Sequence, residues 1–363
     1  TESINCTGFA DVRLVFSHYF NWISGYGDDH AIVRVSNDGG SSWNTVVDWT
    51  GADRSGIEDL DISMYADNQA DVKLAFHYTG NYDYWWGIDN LEVIGIQKGY
   101  QGLIDQQYEL LTTKSVSGKL QVGGTFLQSA RCLEMFEEPG RRQAVKTLQE
   151  MGAEGLVVIG GDGSHRGAYE LQKRGVPVIA IPASIDNDIP FTDMSLGVDT
   201  ALNNILHAVD CLKDTASSHD RTFVVETMGR DCGYLALVSG IACGAEYALI
   251  PESAYDIDEI GKHLLRRFQE GRDNSIIMVA EGAGKAQDIA DQIKDRIGFE
   301  TRIMVLGHYQ RGGSPSSFDR LLAARFGVTA VEALLQDTSG KMLGLSCGAI
   351  IQTDLEKVIA GGR

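Results

Sequence analysis

The chain predicts two folds in succession: an all-β, jelly-roll-like sandwich over residues 1–94, then a doubly wound α/β region with parallel sheet over residues 95–363. Three observations predict it. Apolar residues alternate at period two in the first part and gather into short continuous runs in the second. All five Trp (Trp22, Trp43, Trp49, Trp85 and Trp86) precede residue 95, and all six Pro follow it. The apolar runs of the second part are each followed by polar or glycine residues and then an amphipathic stretch, the rhythm of strand, turn and helix.

In the first part, Val12, Leu14 and Phe16 alternate with Arg13 and Val15. Val72, Leu74, Phe76 and Tyr78 face one way while Lys73, Ala75 and His77 face the other, as half-buried strands require. Turn signals stand at Asn37-Asp38-Gly39-Gly40 and Tyr78-Thr79-Gly80-Asn81. Asp28, Asp29, Asp53, Glu58, Asp59 and Asp61 make the segment acidic. Tryptophans can form a platform for sugar rings, although packing in the core and along edges is their more ordinary use. Over roughly residues 10–94 the pattern resembles the jelly-roll modules of secreted bacterial adhesins and MAM-like domains. That resemblance implies a glycan- or protein-binding module, or a spacer.

In the second part the strands follow in order: Gly155–Ile159, Val176–Ile181, Thr222–Glu226 and Ser275–Ala280. Short apolar runs of this kind suit parallel strands covered on both faces. Polar residues cluster at the carboxyl end of each, where ligands bind in open α/β sheets. No run of about 18 apolar residues occurs, so no membrane-spanning helix is expected. The start at Thr1 shows neither the basic nor the apolar region of a signal peptide. A formal charge of −19 disfavours a nucleic-acid partner, which needs a basic face. Cys6, Cys132, Cys211, Cys232, Cys243 and Cys347 have no zinc spacing and read as thiols of a reducing cytoplasm.

Three polar clusters carry chemistry. Gly160-Gly161-Asp162-Gly163-Ser164 follows a strand and opens a helix with Gly167, so backbone amides and the helix dipole can meet phosphate oxygens. Asp162 there can hold Mg²⁺ on a nucleotide. Such a turn also occurs with no ligand, and lipid and NAD kinases share it. Ser184-Ile185-Asp186-Asn187-Asp188 places two carboxylates two residues apart, suited to general-base and metal roles or to a plain turn. His308, Arg311, Gly312 and Gly313, followed by Asp319-Arg320, suit a phosphate monoester.

Together with Thr227-Met228-Gly229-Arg230, Gly123–Arg131 and Leu91–Ile104, these clusters stand in the order and near the spacing of ATP-dependent 6-phosphofructokinases. Residues 91–363 resemble that family. The resemblance implies phosphorylation of fructose 6-phosphate by ATP with Mg²⁺, in glycolysis and in the cytoplasm. It implies a nucleotide subdomain (about 95–197 with 310–360) and a sugar-phosphate subdomain (about 198–309). Asp186 would be the base on the sugar 1-hydroxyl, aided by Ser184, Asp188, Arg131 and Arg230. Met228, Gly229, Arg230, Glu281, His308 and Arg311 would hold the sugar phosphate. Arg221 and Arg302 would reach a neighbouring subunit's site, implying a homotetramer. Tyr100, Arg131, Gly161, Asp162, Gly163, Ser164 and Gly167 would serve the nucleotide, with Asp162 on the metal. Gly163 and Ala183 are small where pyrophosphate-dependent relatives carry Asp and Lys, which implies ATP as donor. Lys213, Glu246 and Arg272 would remain of an effector site, with Thr113 and Glu270 where basic residues are usual. The family's opening strand, phosphate loop and helix are expected to be missing ahead of Leu91, with impaired activity, and its last residues are expected to be missing after Arg363. The alternative is an inactive chimera whose first part is the binding module.

Overall fold

In the computed structural model the described residues are 3–20, 30–52, 54–79, 86–89, 92–216, 222–271, 274–298 and 300–361. The chain divides into two compact units, Thr1–Val93 and Ile94–Arg363.

In the first unit the period-two alternation becomes strands β1 (Arg13–Phe20), β2 (His30–Ser36), β3 (Asn44–Trp49), β4 (Arg54–Asp61), β5 (Lys73–Thr79) and β6 (Trp86–Asp89), with one short helix α1 (Ser63–Ala66). They form two three-stranded antiparallel sheets, β4-β1-β6 and β3-β2-β5. Along β1 the inward set is Leu14, Phe16, His18 and Phe20, while Arg13 and Val15 face water. Val12, Leu14 and Leu60 pack with Val35, Val72, Leu74 and Phe76, so residues beside and within both sheets share one core. Phe16 meets Phe76 edge-on at 5.1 Å between ring centroids. The expected turn between β2 and β3 is held by Asp38, which accepts from the Ser36 hydroxyl (2.7 Å) and from the Ser42 amide (2.8 Å) and hydroxyl (2.6 Å). Of the tryptophans, Trp49 stacks on His18 at 4.5 Å with Arg54 over its ring at 5.0 Å. Trp22 and Trp85 lie outside the described residues.

The second unit begins with strand β7 (Val93–Ile96), helix α2 (Tyr100–Ile104), strand β8 (Tyr108–Leu111) and helix α3 (Thr113–Val116), β7 and β8 forming a small sheet of their own. Then follow α4 (Glu138–Glu150), β9 (Leu156–Gly160), α5 (Asp162–Gln172) and β10 (Val178–Pro182). The chain next builds α6 (Val198–Ala216), β11 (Thr222–Thr227), α7 (Tyr234–Cys243), β12 (Tyr247–Leu249), α8 (Ile257–Gln269), β13 (Ser275–Ala280), α9 (Ala286–Ile297) and β14 (Thr301–Val305). It closes with α10 (Ser317–Leu335), β15 (Lys341–Ser346), β16 (Ala349–Asp354) and α11 (Leu355–Ala360).

Two four-stranded sheets result, ordered β16-β15-β10-β9 and β12-β13-β11-β14. All pairings are parallel except β15 with β16. Residues 198–305 are therefore an insertion: the chain leaves the first sheet after β10, completes the second, and returns. β10 and β13 are buried at every residue, as their continuous apolar runs require. β9 differs from expectation. Among the described residues it pairs with β10 alone and forms an edge, so Ile159 is 62% exposed instead of covered. On α10, Leu322, Phe326, Ala330 and Ala333 pack on Ile179, Ile181, Leu343 and Leu345. The opposite face of the same helix leaves Leu321, Val328 and Leu335 exposed.

Candidate active site

The carboxyl ends of β9 and β10 bring two of the three polar clusters together. The Ala183 amide donates to the Gly160 carbonyl at 2.9 Å, and a Cβ on Gly161 would lie 3.7 Å from the Ser184 side chain. The glycine turn thus lies against the Ser184–Asp188 turn. From Gly161 the chain enters α5, whose first turn carries Asp162, Gly163 and Ser164. Beside Gly163 a side chain would meet open space. Gly167 is glycine for a packing reason: a Cβ would sit 2.5 Å from the Tyr100 ring. Tyr100 donates its hydroxyl to the Ser164 carbonyl at 2.6 Å, and burial pushes its pKa well above the usual phenol value.

Asp186 is only 4% exposed. Its Oδ1 has no hydrogen-bond partner, and its Oδ2 lies 3.5 Å from Arg230 Nε. Burial raises its pKa, the Asp188 charge raises it further, and Arg230 and Arg311 oppose the shift. A buried, electron-rich and unpartnered oxygen is a proton acceptor waiting for a donor. Asn187, between the two acids, adopts a left-handed backbone (φ 51°). Its amide pins the loop beyond, donating to the Asp193 carbonyl (3.1 Å) and accepting from the Ser195 amide (3.0 Å).

The third group comes from β11, β13 and β14. After β11 the chain turns sharply. Gly229 (φ 140°) has no room for a Cβ, which would fall 2.2 Å from the Cys232 carbonyl oxygen. Glu281, just past β13, accepts from the Gly229 amide (3.2 Å) and the Arg230 amide (2.8 Å) through Oε1 alone. The other oxygen can serve a ligand hydroxyl. Past β14, His308 and Arg311 stand exposed on the turn Gly307–Arg311.

Other sequence-derived candidates among the described residues make no hydrogen bond or ion pair with this centre. Arg131 is exposed and makes no hydrogen bond or ion pair with another described residue. Arg302 sits in the first half of β14, opposite Phe223, and pairs with Glu300. Lys213 donates to the Cys243 carbonyl. Glu246 is engaged with Arg267 (2.9 Å) and the Ile276 amide (2.6 Å). Arg221 and Arg272 lie outside the described residues.

Sequence reasoning passed over the residues that hold the site together. Asp319 is buried on α10 and accepts from the Gly197 amide (2.9 Å) and from the Thr200 amide (2.9 Å) and hydroxyl (2.5 Å). Gln310 links the Met228 amide to the 307–311 turn. Both stand inside the third polar cluster, but only their partners reveal what they do.

The Phosphofructokinase family matches residues 86–334 of the chain. The chain belongs to that family. It is 49% identical over 277 residues to an ATP-dependent 6-phosphofructokinase of Thermotoga neapolitana, covering 76% of this chain and 87% of the relative. It is 46% identical to one of Clostridium acetobutylicum, covering 75% of this chain and 86% of the relative. The structure of phosphofructokinase from Saccharomyces cerevisiae superposes with a TM-score of 0.70 at 36% identity, covering 74% of this chain; the chain spans only 41% of that longer polypeptide. A pyrophosphate-dependent phosphofructokinase of Marinobacter aquaeolei shares the fold at a TM-score of 0.62 and 20% identity. The family match begins within β6, so most of the first unit lies outside it.

Proposed function

We propose that the second unit transfers the terminal phosphoryl group of ATP to the 1-hydroxyl of fructose 6-phosphate, with Asp186 as the base. The observation that carries this is the buried Asp186 carboxylate, one oxygen unpartnered and the other facing Arg230, between the glycine turn and the loop that bears Met228–Arg230. The hydroxyl oxygen forms a bond to the γ-phosphorus, the bond to the ADP oxygen breaks, and the hydroxyl proton passes to Asp186. Arg230 stands 73% exposed beside that carboxylate, placed to offset charge on the transferring group. His308 and Arg311 hold the 6-phosphate, and Glu281 Oε2 accepts a sugar hydroxyl. The absence of a side chain at Gly163, where a Cβ would meet nothing within 4 Å, supports ATP as donor.

Mg²⁺ fits the residues present. Among the described residues no group of three or more His, Cys, Asp or Glu is placed to hold a metal ion. Mg²⁺ on a nucleotide needs only one or two carboxylates, since it keeps waters and phosphate oxygens. Asp162 can supply one, because its present partner, Arg166 at 2.9 Å, forms an exposed pair that is cheap to exchange. When bound, Mg²⁺ would supply charge neutralisation on the phosphates, and Asp162 would help to hold it.

The same reading extends to a cytoplasmic homotetramer with Arg221 and Arg302 serving a neighbour's sugar site, and to an effector role for Lys213, Glu246 and Arg272. Arg302, half exposed on β14, supports the shared site. No helix among the described residues is long and apolar enough to cross a membrane. Two sheets sharing a core support a sandwich for the first unit, for which the alternative role is binding of glycan or protein. Separate calorimetric titrations with ATP and with fructose 6-phosphate, followed by a steady-state assay with both, test the proposal. Binding of fructose 6-phosphate with turnover supports it; binding of neither ligand removes it.

A further inference from the structure

Met228 and the phosphate-gripping turn belong to loops after neighbouring strands, β11 and β14, which run parallel with Glu226 opposite Val305. Beyond the strand ends the backbone ladder adds one bond, from the Leu306 amide to the Glu226 carbonyl at 3.1 Å. Past that point the side chain of Gln310 joins the loops. Gln310 is 1% exposed, its Oε1 accepts from the Met228 amide at 3.2 Å, and its Nε2 donates to the Gly307 carbonyl at 3.0 Å. From the other side, Asn204 on α6 donates to the carbonyls of Gln310 (3.4 Å) and Gly312 (3.3 Å).

We propose that Gln310 is a positioning residue that sets the distance between His308 and Arg311 on one loop and Met228–Arg230 on the other, so that affinity for a sugar phosphate depends on a side chain the ligand cannot reach. The inference rests on the sugar-phosphate reading above. The chemistry is restrictive. The slot requires an acceptor facing one backbone N–H and a donor facing one backbone carbonyl, both on a single flat group, and water is shut out. A carboxamide meets that need; a carboxylate, a hydroxyl or a methyl group does not. If the link is cut, the turn retains its own Tyr309–Leu306 and Arg311–His308 backbone bonds and stays folded. It is then free to shift against Met228, and a two-point grip on phosphate and sugar loses its spacing.

Two variants test this. Gln310→Met keeps length and volume but removes both bonds. Gln310→Glu keeps the acceptor for Met228 and loses the donor to Gly307. Hydrogen exchange at the Met228 amide should accelerate at least about tenfold in Gln310→Met and stay near wild type in Gln310→Glu. Fructose 6-phosphate Kd should rise at least about tenfold in both, with ATP Kd within about twofold of wild type. Unchanged Met228 exchange in Gln310→Met overturns the link. Equal losses of sugar-phosphate and ATP affinity that track a fall in Tm overturn positioning in favour of plain stability. If the wild-type chain binds no fructose 6-phosphate, the functional reading falls, and the Met228 exchange still decides whether Gln310 couples the loops.

Discussion

Asp186 is kept ionisable at a cost in stability. Its pKa is raised in the fold, so between the unfolded carboxylate value and that raised value the native state holds the proton more tightly. Stability therefore falls as pH rises through this window, and the penalty is fully present above the raised value. Asp186→Asn should raise Tm at pH 7 while lowering turnover at least about a hundredfold, with sugar-phosphate Kd nearly unchanged. Near-normal turnover in that variant would remove the base role. His18 presents the same logic with the opposite pH direction. It is buried against Trp49 and bonded to Glu58 at 3.4 Å, and burial lowers its pKa although Glu58 pulls it up. Stability of the first unit is fully present above the unfolded histidine value and is lost as pH falls from there through the lowered folded value. Tryptophan fluorescence should show a Tm that drops from pH 7 to pH 5, and His18→Phe should flatten that dependence; an unchanged slope would show that the drop comes from elsewhere. His308 and Arg311 stand out in the sequence because reactive types crowd beside a double glycine, whereas Asp186 and Arg230 are singled out through the family resemblance. Gln310, Asn187 and Asp319 stood in the same runs, but their work is to bond main-chain groups, and nothing in residue type announces which ones.

At the scale of elements, Asp319 joins the start of α10 to the start of α6. One buried carboxylate there satisfies the Gly197 and Thr200 amides, and the Thr200 hydroxyl accepts in turn from the Ser316 amide at 3.0 Å. It acts as a helix cap borrowed from another helix, favoured also by the positive end of the α6 dipole. Asp319→Ala leaves two amides without acceptors and should cost about 2–4 kcal/mol in urea unfolding of the second unit. A loss below about 0.5 kcal/mol would mean that water replaces the carboxylate. Strands such as β10, β11 and β13 could be read from sequence because continuous apolar runs bounded by glycine or polar turns have few other uses. β12 has three residues and β14 is half polar, so neither carries a periodic signal. The edge position of β9 carries no periodic signal either; only the missing opening strand that the resemblance implies points to exposed strand edges. Its sequence has the composition of a covered strand, and periodicity cannot say which neighbours are present.

At the scale of the molecule, the unpaired side of β9, exposed Ile159 and the exposed face of α10 all belong to the sheet that carries the glycine turn. The loops proposed to hold the sugar phosphate follow strands of the other sheet. Fructose 6-phosphate affinity should therefore lie nearer that of an intact family member than ATP affinity does, with turnover reduced most, since phosphoryl transfer depends on positioning. Replacing residues 1–90 with a family strand, glycine loop and helix ahead of Leu91 should raise turnover; full turnover without the graft would show that segment to be dispensable. The interrupted course of the first sheet has a further outcome, for folding kinetics. β10 meets β15 at Ile179–Lys341, closing a loop of about 160 residues, whereas every strand of the second sheet lies between Thr222 and Val305. If the inserted sheet forms first, Asp319 and Thr200 bring its two ends side by side. The remaining closure then spans about 45 residues, Ile179 to Thr200 and Asp319 to Lys341, and at about 0.6 kcal/mol per doubling of length this relieves about 1 kcal/mol of chain entropy. Conservative truncations in β11 should thus slow refolding, while truncations in β16 should mainly speed unfolding; the reverse pattern would place the nucleus in the first sheet. A polypeptide emerging from the ribosome would hold β9 and β10 unfinished until α10 arrives, with its most apolar strands waiting for the last part of the chain to be made.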